Sequence, residues 1–383
     1  HNLALALHHK GFEVSGSDDA IFEPSKSRLD AFGILPQKMG WFPEKIHRDL
    51  DAIILGMHAR IDNPELIKAQ ELKIPIFSYP EYIYNQSTDK RRVVIGGSHG
   101  KTSITAMILH VLHHYNMDCD YMVGAKLDGF DTMVRLTTEA PLIVLEGDEY
   151  LSSPIDRRPK FHWYKPHIAI LSGIAWDHIN VFPTFENYVN QFRIFKNDVE
   201  DVLFYCDDDK VLSDLCQEDS TCRLESYSVP NHCVEDGITY LIDGESKHRL
   251  KIFGEHNLQN LNAALLVCQE LGIQKSDFYK AISLFKGASK RLELVKRGES
   301  SVVYKDFAHS PSKLKATSSA MKKQYTHRAL VACMELHTFS SLNKDFLKEY
   351  LGAMDTPDIA VVYFSKAAIA HKKLEDISVE HVH

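Results

Sequence analysis

The sequence predicts an α/β protein of two or three domains built on largely parallel sheets. Three observations carry this prediction. Short β-rich runs alternate with stretches of helical period along the chain, which is the pattern of βαβ units. The chain has 383 residues, more than the roughly 250–300 at which single cores tend to split. Its 44% hydrophobic and 25% charged residues match an ordinary globular protein.

Taken in order, His1 to Leu7 reads as a helix already under way, with neither a preceding strand nor a cap. The other end, Glu380-His381-Val382-His383, is as abrupt, so residues are expected to be missing at both ends. A turn at Gly11 leads to a strand expected at 12–15, then to Gly16-Ser17-Asp18. Further strands are expected at 52–55 and 74–77, and the polar stretch 85–90 reads as a linker. A second series begins with a strand at 92–95. Behind it Ile104, Met107, Ile108, Val111 and Leu112 make one apolar helix face. Strands follow at 142–145 and 168–171, an accessory sheet is expected within 201–251, and a helix within 257–270. After Gly287 strands are expected at 301–304, 329–332 and 359–363, with Pro311 in the first turn of a helix.

Composition excludes several classes. Asp and Glu exceed Lys and Arg by 52 to 44, giving net charge −8 with no basic tail, which argues against a nucleic-acid partner. No apolar run approaches the roughly 20 residues of a membrane helix. Seven scattered cysteines without a CxxC pair argue against a zinc site or disulfide framework. Reduced cysteines and a cytoplasmic location are the expectation.

The strongest chemical signal is Gly97-Ser98-His99-Gly100-Lys101-Thr102, followed by Ser103, between a strand and an apolar helix. Glycines let the backbone fold around phosphate, and amides at a helix start point at the anion. Lys101 is expected to reach the β- and γ-phosphates of ATP, and the Thr102 hydroxyl to ligate Mg²⁺. The spacing departs from the general phosphate-loop pattern, since the position five before Gly100 is Ile95. Glu146-Gly147-Asp148-Glu149 follows one strand and Asp177-His178 another. At the carboxyl ends of parallel strands these groups can converge although they are distant in sequence.

The same residues carry a resemblance. The loop resembles the GTxGKT loop of the Mur ligases, which assemble the peptide stem of bacterial cell-wall precursors. Glu146-Gly147-Asp148-Glu149-Tyr150 is similar to their ExDEY segment and Asp177-His178 to their DH pair. Gly254-Glu255-His256-Asn257-Leu258-Gln259-Asn260 with Ala263-Ala264 resembles GxHNxxNxxAA. Arg291, followed by Asp306-Phe307-Ala308-His309-Ser310-Pro311, resembles their arginine and D-[YF]-AHxP motif. Val14-Ser15-Gly16-Ser17-Asp18 resembles the SGSD strand end of the subgroup that takes UDP-N-acetylmuramate. The family's glycine-rich opening strand and loop are absent, which fits residues missing at the start.

The resemblance implies three domains: a Rossmann-like UDP-sugar domain (1–88), a central phosphate-loop ATPase domain (89–287) and a Rossmann-like peptide domain (288–383). It implies an ADP-forming ligase in which the lactyl carboxylate of UDP-N-acetylmuramate attacks ATP and the resulting acyl phosphate is taken by an amine. Within the family the chain resembles the recycling ligase for the L-Ala–γ-D-Glu–meso-diaminopimelate tripeptide. That narrower reading rests on Asp156-Arg157-Arg158-Pro159-Lys160-Phe161 with Tyr164, and on the run from Glu335 to Leu342. L-alanine is the alternative amine.

By the same resemblance Lys101, Glu146 and His178 are catalytic. Thr102 with Glu146 holds one Mg²⁺, and Glu146 with His178 a second. Gly97 to Ser103, Asn257, Asn260, Arg291 and Asp306 are expected around ATP, the last two only once the third domain closes. Ser17, Asp18, His58, Arg60 and His99 are assigned to the UDP-sugar, and His337 and Ser340 to the peptide. The alternatives are a solvated loop residue for His99, a helix cap for Asn257 and a turn residue for Asp18. A folylpolyglutamate-type ligase is disfavoured by the βαβ region before the loop. An inactive UDP-sugar sensor is disfavoured by the intact chemical residues. The oligomeric state is not readable.

Overall fold

The computed structural model describes residues 1–178, 180–372 and 374–382. It has the predicted α/β architecture in three successive parts. The first part carries α1 (Asn2–His9), α2 (Ser25–Ala31), β1 (Ile53–Leu55), α3 (Pro64–Leu72), β2 (Ile76–Ser78) and α4 (Tyr79–Asn85). β1 and β2 pair in parallel across α3. Local chemistry sets the helix starts. The Asn63 side chain accepts the Glu65 and Leu66 amides ahead of Pro64, and Ser78 with Glu81 forms a capping box.

Two expectations fail here. Residues 12–15 join no ladder, and Phe12 is 43% exposed. A strand needs a neighbour to take its backbone groups, and among the described residues β1 pairs only with β2. Nor is 85–90 a loose linker. Ser87 and Lys90 are buried. Lys90 donates to the Ala140 carbonyl at 2.7 Å and lies 3.2 Å from the Asp120 carboxylate. Polarity suggested solvent, and Asn85, Thr88 and Asp89 are exposed, but Ser87 and Lys90 have internal partners. Leu3, Ala6 and Leu7 of α1 pack into the main core.

The second part holds β3 (Arg91–Gly96), α5 (Lys101–His114), β4 (Asp120–Met122), β5 (Val134–Arg135), β6 (Leu142–Glu146), β7 (Ile168–Leu171), α6 (Phe185–Asn197), β8 (Val202–Cys206), α7 (Lys210–Cys216) and β9 (Arg223–Tyr227). Its strands form one seven-stranded sheet in the order β5-β4-β6-β3-β7-β8-β9. All its pairings are parallel except β4 with β5. β6 and β7 are consecutive in the chain yet flank β3, so the strand order reverses around β3. Ligand crevices of open parallel sheets form at such a switch point, outside the carboxyl ends of the strands. Val93, Val94, Ile95, Ile143, Val144, Leu145 and all of β7 are fully buried, as expected where helices cover both faces. α5 is buried around most of its circumference, because α8 (Glu255–Glu270), which also contacts β8 and β9, and α9 (Lys275–Ile282) pack against it.

The accessory sheet expected within 201–251 divides. β8 and β9 extend the main sheet, while β10 (His232–Glu235), β11 (Ile238–Asp243) and β12 (Ser246–Arg249) form a separate antiparallel one. α8 begins at Glu255 behind Gly254, earlier than expected, so Asn257 is no cap. The third part comprises the hairpin β13 (Glu293–Arg297) and β14 (Val302–Lys305), then α10 (Pro311–Gln324), the parallel pair β15 (Val331–Leu336) and β16 (Ile359–Phe364), α11 (Lys366–His371) and α12 (Val379–Val382). Pro311 is in the first turn of α10, as expected.

Candidate active site

β3 delivers the glycine loop to the centre of the crevice. Gly97 has φ +124°, and a Cβ there would lie 2.8 Å from the Ser172 amide nitrogen and nearer still to its hydroxyl. Only glycine lets the loop run this close to the end of β7. Gly100, at φ +76°, caps α5 and leaves no room for a Cβ beside the Asn260 side chain. Asn260 of α8 therefore sits directly on the loop. Lys101 opens α5 and donates to the Gly97 carbonyl at 2.6 Å and to Glu149 at 2.5 Å. The Thr102 hydroxyl donates to Glu146 at 2.8 Å. The Ser98 and Tyr188 hydroxyls share a 2.8 Å hydrogen bond, and Ser103 is buried.

Carboxylates from β6 and β7 line the other side. Burial raises the Glu146 pKa, although its oxygens receive Thr102 and the Gly124 amide. Burial would also raise Asp148, but Lys160 at 2.6 Å and Lys101 hold that carboxyl down at about 2. For Lys101 burial works against the charge, and Glu149, Asp148 and Glu146 together more than restore it, so its pKa rises. His178 points at Glu149, with Nε2 3.7 Å from Oε1. Its closest carboxylates are thus Glu149 and Asp177 rather than Glu146. Glu146 ends its strand, whereas Glu149 lies three residues on, where the chain has turned toward β7.

Two donor sets suit a hard cation. One is the Thr102 hydroxyl with Glu146. The other is Asp148, Glu149 and His178, whose ligand atoms all lie within 4.8 Å of one another. Oxygen dominates both, which fits Mg²⁺. The histidine nitrogen is the weaker match.

The third part closes the cleft. Arg291 already reaches the loop, its guanidinium 3.5 Å from the Thr102 hydroxyl, so no further closure is needed to bring it there. Asp306 accepts the amides of Leu292 and Phe307 and the Thr317 hydroxyl, fixing the approach to α10. Asn257 donates to the Phe253 carbonyl at 2.9 Å. The cavity has a volume of about 580 Å³, within the usual range for a small-molecule site. His99 lines it and packs on Gly173, where a Cβ would meet its Nε2 at 2.5 Å. Burial, helped by Lys313, pushes His99 down to about 4.

Of the residues expected around nucleotide and metal, Ser98 to Ser103, Glu146, His178, Asn257, Asn260, Arg291 and Asp306 all line this cavity. Gly97 supports it from behind. Ser17, Asp18, His58 and Arg60 lie outside it, in the first part. There Ser17 donates to Glu65, Asp18 bridges to Gly40, and Arg60 pairs with Asp62 on the surface. His337 and Ser340 also lie outside, although the His337 ring stands 5.6 Å from Phe307 and 6.2 Å from His309. The individual lining roles of Asp148, Glu149, Lys160, Asp177, His309 and Lys313 were missed. The first five were in view as members of quoted motifs, without a role of their own. Lys313 gives only one signal, its place two residues after Pro311.

The family described as the Mur ligase middle domain matches residues 95–268. Over 372 residues the chain is 30% identical to a UDP-N-acetylmuramate–L-alanine ligase of Clostridium kluyveri, covering 93% of this chain and 79% of that protein. Among solved structures, a UDP-N-acetylmuramate–alanine ligase from Thermotoga maritima superposes with TM-score 0.72 at 20% identity, covering 97% of this chain and 84% of that one. A murein peptide ligase from Psychrobacter arcticus gives TM-score 0.71 at 20% identity, covering 97% and 89%. At that identity the two structures speak for the fold.

Proposed function

This chain belongs to the Mur ligase family of ATP-dependent, amide-forming enzymes, and from that premise we propose that it joins the L-Ala–γ-D-Glu–meso-diaminopimelate amine to the lactyl carboxylate of UDP-N-acetylmuramate. The observation that carries the ligase chemistry is the convergence of Lys101, Thr102, Glu146, Arg291 and Asp306 on one cleft.

The chemistry requires a carboxylate to approach a triphosphate, so the chain must neutralise charge and align the two anions. Lys101 and the first amides of α5 receive the transferred phosphate, and Arg291 stabilises its charge from the third part. Mg²⁺ held by Thr102 and Glu146 would offset the negative charge of the phosphates. Asp148, Glu149 and His178 form the second candidate position. Asn257 and Asn260 face the nucleotide from α8, while Arg291 and Asp306 hold the third part over the cleft and keep water from the acyl phosphate. Ser17, Asp18, His58 and Arg60 are proposed for the UDP-sugar, with His337 and Ser340 for the peptide. We place the enzyme in the cytoplasm, in peptidoglycan recycling.

The tripeptide is supported by the two distinctive stretches. Lys160 and Tyr164 of the first line the cavity, and the buried Tyr164 hydroxyl has no hydrogen-bond partner among the described residues. The second follows β15, beside His309. A second reading, ligation of free L-alanine, is favoured by the name of the Clostridium kluyveri relative. The test supplies ATP, Mg²⁺ and UDP-N-acetylmuramate, and compares ADP release with tripeptide and with L-alanine. A higher kcat/KM for L-alanine overturns the tripeptide assignment. No release with either amine overturns the ligase reading.

A further inference from the structure

Lys313 is a cation in the cleft to which the chemistry above gives no task. It stands in the first turn of α10, which carries no acidic residue there and whose Ser310 N-cap makes no side-chain hydrogen bond. The positive end of the helix therefore adds to the ammonium charge instead of offsetting it. Lys313 lines the same cavity as Lys101, Glu149, Asp177 and Arg291. Lys101 has Glu149 at 2.5 Å and Lys160 has Asp148 at 2.6 Å. Among the described residues Lys313 has neither a carboxylate within ion-pair distance nor a hydrogen-bond partner. Burial lowers its pKa, and Lys101 and Arg291 push the same way against Asp177 and Glu149. A desolvated ammonium among like charges costs free energy. An anion bound between these cations would offset that cost.

We propose that Lys313 is a second lysine for the phosphoryl group in transfer, gripping its oxygens from the third part as Lys101 does from the central one. The γ-phosphate is the favoured anion because Lys313 lines the same cavity as the loop lysine Lys101 and Arg291, so one phosphoryl group can lie among the three cations. In the transfer, a carboxylate oxygen forms a bond to the γ-phosphorus as the bond to the β,γ-bridging oxygen breaks, and ADP leaves with the electron pair. Lys313 keeps its proton throughout and stays with the phosphoryl oxygens. A carboxylate of the amine substrate shares the same anionic chemistry, so the test must separate the two sources. The identity of the phosphoryl acceptor rests on the ligase reading, but the contact with nucleotide does not.

The experiment uses the full chain and the variants Lys313→Met and Lys313→Arg. Calorimetry with Mg²⁺ compares ADP with a non-hydrolysable ATP analogue, and steady-state kinetics gives KM for the amine. Lys313→Met is expected to weaken the analogue by roughly tenfold or more, the scale of one charged hydrogen bond, and to leave ADP within about twofold. It should lower kcat without raising the amine KM, and Lys313→Arg should recover most of the loss. Melting without ligand should rise in Lys313→Met, since a repulsive charge is gone; a merely structural lysine would give a fall. Equal weakening of both nucleotides overturns the proposal, as does an amine KM that rises alone. If the wild type prefers the analogue through Lys313 yet never uses UDP-N-acetylmuramate, the ligase reading fails and this one stands.

Discussion

Gly97→Ala tests how the phosphate loop is seated. The new methyl would lie 2.8 Å from the Ser172 amide nitrogen and 3.2 Å from the Ser172 Cβ, with the hydroxyl closer than either. That amide cannot easily retreat, because it donates to the Gly96 carbonyl where β3 meets β7. Alanine at φ +124° adds conformational strain of about 1–3 kcal/mol. Overlap in a packed interior adds about 1–3 kcal/mol more. A loss of roughly 2–6 kcal/mol follows, a large part of the stability of an ordinary domain. Urea unfolding followed by circular dichroism reads it, and ADP release reads the loop's function. Ser172→Gly in the same chain should give only partial relief, since the backbone nitrogen remains. Gly100→Ala meets a side chain instead, so Asn260→Gly should remove the overlap and leave the strain of alanine at φ +76°. A Gly97→Ala protein within about 0.5 kcal/mol of the parent would refute this reasoning, and so would full rescue by Ser172→Gly.

Lys101→Ala should abolish ADP formation, by at least about 10³-fold on the scale of lost transition-state charge stabilisation, with an unchanged circular dichroism spectrum; near-normal turnover would remove its phosphate role. Glu146→Gln should raise the Mg²⁺ concentration needed for half-maximal rate by roughly tenfold or more, read by titration of the metal. Arg291→Ala should lower kcat more than it raises KM for ATP, and an effect on KM alone would assign it to ground-state binding. His99 has its pKa lowered to about 4 by burial. Its neutral form therefore stabilises the fold in full above the unfolded value near 6.5, and that contribution shrinks as pH falls and is gone below about 4. The difference is on the order of 3 kcal/mol. His99→Gln should flatten unfolding free energy against pH across that window, and an unchanged slope would assign the titration to other groups.

The sequence showed the central part best, because β3, β6 and β7 are continuous apolar runs and their loops carry distinctive residues. The loop, Glu146, His178, Asn260, Arg291 and Asp306 could all be named before their meeting was visible. Pairings could not. That His178 turns to Glu149 depends on where the chain goes after β6, and that Glu146 takes the Gly124 amide on where it goes after β4, which no spacing encodes. The strand expected at 12–15 had suitable residues but no neighbour, and pairing is decided by the neighbour. Residues 85–90 looked like linker because Lys90 is charged, yet its partners, Asp120 and Ala140, lie 30 and 50 residues away. Lys313 was overlooked because a lysine beside a helix start reads as solvent-facing until the opposite wall is known.

The contact between Lys101 and Glu149 has a consequence for the order of events. Before nucleotide arrives, the loop lysine and a carboxylate of the candidate cation position occupy each other. A triphosphate that takes the lysine releases the carboxylate, and a cation that takes the carboxylate releases the lysine. Each therefore lowers the barrier to the other, and the two are expected to load as one unit. ADP offered without a divalent ion would have to break that embrace alone.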